Sequence, residues 1–147
     1  MINYVKEAER LLNARRNMER SVENLERRLS QLIKRGGPGN VSAIDLSKPF
    51  TSSTYTADTI GNCLDIVMTQ KAIRETQEDI ENIDIAIKQL DKRDSTLLRM
   101  WYIDGATKEE IAAELSYSSR SSVYDIKKSA VSAFALLYYG TPALVAT

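Results

Sequence analysis

The sequence predicts an all-α protein: a long antiparallel helical hairpin, coiled-coil-like, followed by a C-terminal helix-turn-helix module. Three observations predict it. Residues 2–34 and 65–93 each carry apolar side chains at alternating spacings of three and four, the seam of a heptad helix. Between them, residues 36–64 are rich in Gly, Ser, Thr and Pro. After them, residues 94–147 change to three short helical patterns in quick succession. The expected divisions are a first long helix over 1–35, a connection over 36–64, a second long helix over 65–93, the helix-turn-helix module over 94–140 and a tail over 141–147.

The first helix places Tyr4, Ala8, Leu11, Arg15, Met18, Val22, Leu25, Leu29 and Leu32 on one seam. Arg15 is the polar exception, expected to set register or to pair with an acid of the second helix such as Glu75 or Glu78. Gly36-Gly37-Pro38 stops the helix. At 1.5 Å per residue it is roughly 50 Å long, too long to bury its seam without a partner. The second helix supplies one, through Ile66, Thr69, Ile73, Thr76, Ile80, Ile83, Ile87 and Leu90. Pairing within the chain gives a hairpin. Pairing between chains gives a coiled coil, and a homo-oligomer through the long helices is expected. The connection is expected to be a partly ordered linker, or else to hold a short element such as Tyr55 to Ile60, with Val41, Ile44, Leu46 and Phe50 available to cover the hairpin end.

The C-terminal third begins with a helix over about Asp94 to Ile103, with Leu97, Leu98 and Trp101 as core residues, ended by the turn Asp104-Gly105. Thr107 and Glu110 form a capping box for a second helix, Lys108 to Leu115, whose buried stripe is Ile111, Ala112 and Leu115. Ser116-Tyr117-Ser118 is a short turn in which Ser116 stands where a glycine is usual. A third helix runs from near Ser119 to about Tyr138, broken by Gly140 and Pro142. Val123 arrives one position late for the first apolar residue of that helix, so the turn is expected to be a residue longer than usual.

Composition narrows the function. The chain has 147 residues, 20 basic and 20 acidic side chains, no histidine and one cysteine. The length suits one compact domain, or a small domain with a helical appendage. Without histidine the commonest general base and metal ligand are missing, and Cys63 alone makes neither a disulfide nor a multi-cysteine zinc site. No residue set makes a credible active site, so no enzyme and no cofactor are expected. The N-terminus has no apolar core for a signal peptide, and the longest nearly apolar run, Ala130 to Tyr139, is too short to span a bilayer. A cytoplasmic protein with no membrane partner is expected.

Two short helices, a tight turn and a longer third helix form the outline of a DNA-reading helix-turn-helix. Ala112 is the small residue that lets the third helix cross closely, with Ile111, Leu115, Val123 and Ile126 fixing the angle. On a helical wheel Val123, Ile126, Ala130, Phe134 and Leu137 share the core arc. Ser121, Tyr124, Asp125 and Lys128 fall opposite, with Arg120 and Lys127 on the flanks. Arg120 suits a guanine edge or a phosphate, and Ser121 and Ser122 suit a phosphate. Lys127 and Lys128 suit the backbone. Asp125 repels phosphate but can accept from a cytosine amino group. The charge is local: residues 116–147 sum to +2 although the whole chain is neutral.

Leu97 to Ser118 carries a "YI-D-G" turn at Tyr102-Ile103-Asp104-Gly105, a "T-x-E-E-I-A-x-x-L" helix from Thr107 to Leu115, a "Y-S" turn at Tyr117-Ser118 and, further on, Ala130 late in the third helix. In these the chain resembles the C-terminal helix-turn-helix of sigma factors, which reads the −35 promoter element. It resembles still more the small phage late-gene transcription regulators of the RinA/ArpU type. The specific likeness covers about residues 94–130. Toward the N-terminus it is one of architecture, a helical region and a Gly/Ser-bearing connection before a sigma-like module. The resemblance implies a sequence-specific regulator of phage or prophage late genes, bound to double-stranded DNA and touching bacterial RNA polymerase. It places the DNA contacts at Ser118, Ser119, Arg120, Ser121, Ser122, Tyr124, Asp125, Lys127 and Lys128. Two other classes share the outline. Phage small terminase subunits join such a module to oligomerising helices for DNA packaging, and a helical interaction module uses it to bind protein.

Overall fold

The computed structural model describes residues 2–35, 57–116 and 120–144. The regular elements among them are all helical: α1 Tyr4–Arg35, α2 Ala57–Lys88, α3 Lys92–Leu98, α4 Lys108–Glu114 and α5 Arg120–Tyr139. A π-helical turn, Arg99–Ile103, continues α3, and a 3-10 turn, Thr141–Leu144, follows α5. No helix among the described residues is long and apolar enough to cross a membrane.

Two expected boundaries move. Residues 57–64, expected in the connection, are the first turns of α2. Gly61 costs a helix about 1 kcal/mol relative to alanine, and burial of Cys63 and Ile66 offsets it. At the other end α2 stops at Lys88 and α3 begins at Lys92, behind Asp91 at the N-cap position. The segment 36–56 and the tail residues 145–147 lie outside the described residues.

The chain divides into two compact units, residues 1–18 with 79–147 and residues 19–78. In the second unit, Leu32 of α1 and Cys63, Ile66 and Thr69 of α2 are buried. The Asn62 side chain donates to the Leu32 carbonyl at 3.2 Å, which sets the start of α2 beside the end of α1. Val22, Leu25, Leu29, Ile73 and Thr76 of the predicted seams are half-buried. Thr69 and Thr76 return their hydroxyls to the carbonyls four residues back, at 2.7 Å each, so neither is left unpaired in the seam. Leu64, Val67 and Met68 face outward, 59%, 43% and 67% exposed.

The first unit holds the larger core. Leu12, Ile83, Leu97, Leu98, Ile111, Val123 and Phe134 are fully buried, joined by Ala8, Ala86, Ile87, Ala130 and Val131. Leu12 takes the central place expected of its neighbour Leu11, which is half-buried. Arg15 lies on the seam as predicted, 6% exposed, but its partner is Asp84. Nε meets Oδ1 at 2.7 Å and Nη2 meets Oδ2 at 2.8 Å, a two-point fork. Leu12, Ile83 and Ile87 belong to one buried core, and in that arrangement Asp84, rather than Glu75 or Glu78, meets Arg15.

Local chemistry explains the ends of these helices. Asn3 caps α1, its Oδ1 accepting from the Val5 and Lys6 amides at 3.1 and 3.2 Å. Thr107 caps α4 by accepting from the Glu110 amide at 3.2 Å. The π-helical turn closes with Asp104 N–H donating to the Arg99 carbonyl and Ala106 N–H to the Met100 carbonyl, both at 2.9 Å. The chain then reverses at Gly105, φ +68°.

Candidate nucleic-acid interface

The candidate interface is built on α4, Ser116 after it and α5. α4 buries Ile111 and Ala112, and Leu115 at its C-cap is half-buried. Leu115 N–H donates to the Ile111 carbonyl at 3.0 Å, and Ser116 N–H to the Ala113 carbonyl at 3.3 Å. Ser116 adopts φ +62°, the left-handed conformation that glycine takes most readily. The chain thus bends at the position where the sequence departs from the usual glycine. Five residues, 115–119, separate the ends of α4 and α5, two more than the expected turn Ser116 to Ser118.

α5 buries Val123, Ile126, Ala130 and Phe134 as the wheel requires. Leu137, placed on the same arc, is 45% exposed, and Val131 and Ala135 are buried in its stead. The start of α1 explains the shift. Tyr4 packs on Tyr139 with ring centroids 5.1 Å apart, and Val5 lines a groove with Val131, drawing the buried arc to that flank. Opposite the core, Tyr124 (49% exposed), Asp125 and Lys128 face outward, and Ser122 is half-buried. Ser118 and Ser119 lie outside the described residues. So do the side chains of Arg120 and Ser121, although both residues belong to α5.

Lys127 is held on the flank. Its Nζ reaches Glu9 Oε1 of α1 at 2.6 Å and lies 4.9 Å from the centre of the Trp101 ring. Lys108 Nζ sits 4.1 Å from the same ring, and Tyr124 meets it edge-on at 5.4 Å. Trp101, expected simply in the core, is half-buried and joins the turn before α4 to α4 and α5 through two cations and an aromatic edge. No spacing rule marks such a centre, because its members come from three elements. Beside it, Tyr102 is 6% exposed, and its hydroxyl has no hydrogen-bond partner among the described residues. Burial, with the Glu9 carboxylate nearby, pushes that phenol far above the ordinary tyrosine range.

A groove of about 500 Å³ runs between the start of α1 and α5, with Lys6 and Glu9 on one lip and Tyr124, Asp125, Lys127 and Lys128 on the other. Lys6, Lys128 and Asp125 are exposed. The arrangement offers a mixed surface of ammonium groups, one carboxylate and an aromatic ring along a helix whose other face is anchored.

A family model described as a protein of unknown function, DUF1492, matches residues 57–135. No curated protein and no solved structure matches the chain.

Proposed function

The chain belongs to the DUF1492 family, and from its own interface we propose that it is a sequence-specific regulator of transcription that binds double-stranded DNA. One observation carries the reading: α5, which comes after α4 and the left-handed Ser116, presents Tyr124, Asp125 and Lys128 opposite the buried Val123, Ile126 and Ala130. A helix anchored in this way suits the major groove, with its first turns toward the base edges. In this reading Ser118 to Ser122 and Lys128 hold the backbone, Arg120 reads a base or a phosphate, Asp125 accepts from a cytosine amino group, and Lys127 works from its seat against Glu9. The role is one of binding, without catalysis or cofactor. The likeness of residues 94–130 to the sigma-type module supports phage or prophage late genes as the targets, in the bacterial cytoplasm, with RNA polymerase as the protein partner.

Self-association belongs to the proposal. A module this small, with little net charge, gains affinity when two copies bind together. The outward Leu64, Val67 and Met68 support assembly through the long helices. The same exposed side chains favour a second reading, a helical interaction module that does not touch DNA.

Binding to DNA flanking the protein's own gene, across a salt series with solution mass recorded in parallel, separates the readings. A saturable, sequence-selective complex with a steep salt slope is the expected result. A ring-sized mass would move the reading to DNA packaging. No binding at low salt on any fragment would leave the interaction module.

A further inference from the structure

We propose that the first turns of α1 are part of the DNA-binding surface, with Lys6 holding a backbone phosphate beside the one held by Lys128. The inference rests on the DNA-binding reading above and adds to it a residue far from the helix-turn-helix in sequence.

The groove between α1 and α5 sets Lys6 and Lys128 on opposite lips. Both are exposed, and neither makes an ion pair among the described residues. The remaining charges of the groove are arranged differently. Glu9 is taken up by Lys127 at 2.6 Å, so its carboxylate is compensated and Lys127 is drawn inward. Asp125 is the one acid of the groove without an ion pair among the described residues, and it stands on the outward face of α5. Two uncommitted ammonium groups on the two lips of an open groove offer one cation each to neighbouring anions, and the anions nearest a helix in the major groove are those of the flanking phosphate backbone. Asn3 already caps the Val5 and Lys6 amides, so what this turn offers DNA is the Lys6 side chain. The Glu9–Lys127 pair keeps α1 against α5, and so keeps Lys6 beside the reading helix.

The test is the salt slope of binding to a non-specific duplex about two helical turns long, measured for the full chain and three variants. Lys6→Ala and Lys128→Ala are each expected to lower the slope by about 0.9, one released counterion apiece. Arg10→Ala removes the same charge from α1, but Arg10 does not line the groove and pairs with Glu7 at 2.9 Å. It is expected to leave the slope unchanged. Lys6→Arg should restore the slope that Lys6→Ala loses, which separates a phosphate contact from a packing effect. A Lys6→Ala slope equal to wild type, with Lys128→Ala still reduced, would overturn this inference and leave the DNA-binding reading standing. Equal losses for Arg10→Ala and Lys6→Ala would also overturn it, since the effect would then follow total charge. Absence of binding by the unaltered chain would overturn both.

Discussion

Gly105 shows how much a single residue carries here. Its φ of +68° is costly for a side chain, and a Cβ built there would lie 2.6 Å from Arg16 Nη2. That guanidinium also donates to the Ile103 carbonyl at 3.1 Å, so it seals the end of the π-helical turn. Gly105→Ala is therefore expected to lower stability by about 2 kcal/mol, from backbone strain together with the displaced hydrogen bond. Denaturant unfolding checks this. In an Arg16→Ala background the cost should fall to about 1 kcal/mol, because only the strain remains. Costs equal in both backgrounds would show that Arg16 moves aside freely. The turn itself was legible at Asp104-Gly105, and Thr107 as a cap was legible from its spacing to Glu110. The Arg16 contact was not, because it joins residues 87 positions apart and depends on the docking of α1.

At the scale of the element, the heptad spacing foretold both long helices, and the shorter patterns foretold α3, α4 and α5. What escaped was the extent of α2, because a stretch with Gly61 and few large apolar residues reads as connection until burial of Cys63 is known. The π-helical turn escaped too. It turns Tyr102 into the core, where its hydroxyl has no partner among the described residues. Burying an unpaired hydroxyl costs stability, so Tyr102→Phe is expected to equal wild type at neutral pH or to exceed it by about 1 kcal/mol. The alkaline limb gives a second readout. Burial, with Asp79 near Tyr138 and Glu7 near Tyr139, raises the phenols of both residues, as burial and Glu9 raise Tyr102. The fold therefore favours the neutral phenols. Their contribution is complete below the unfolded value of about 10 and is lost as pH rises beyond it. Thermal melting across that range should show a steep loss for wild type and a shallower one for Tyr102→Phe. A Phe variant less stable at neutral pH would mean that the hydroxyl has a partner after all.

At the scale of the whole molecule, α2 carries an exposed apolar face, Leu64, Val67 and Met68. In the unit of residues 19–78 the α1 segment carries five basic and three acidic side chains, and the α2 segment two basic and four acidic ones. Helices of opposite sign attract each other within a chain and equally between chains, so a second copy finds a complementary surface as well as an apolar one. Leu64, Val67 and Met68 stand at helical spacing on that surface, while Ile66 between them is 1% exposed and belongs to the chain's own core. The two kinds of position make opposite predictions. Leu64→Glu with Met68→Glu is expected to reduce the solution mass to that of one chain, yet to leave helicity unchanged and stability within about 0.5 kcal/mol when monomers are compared. Ile66→Asp is expected to unfold the unit, because it buries a charge without a partner. If assembly also serves DNA binding, the doubly substituted monomer should bind its target about 100-fold more weakly, the lower end of what joined binding sites supply, while keeping the salt slope per chain. Sedimentation and DNA titration of the same samples check both parts. An unchanged mass would place self-association elsewhere on the long helices. A lost mass with unchanged DNA affinity would mean that one module reads its site alone.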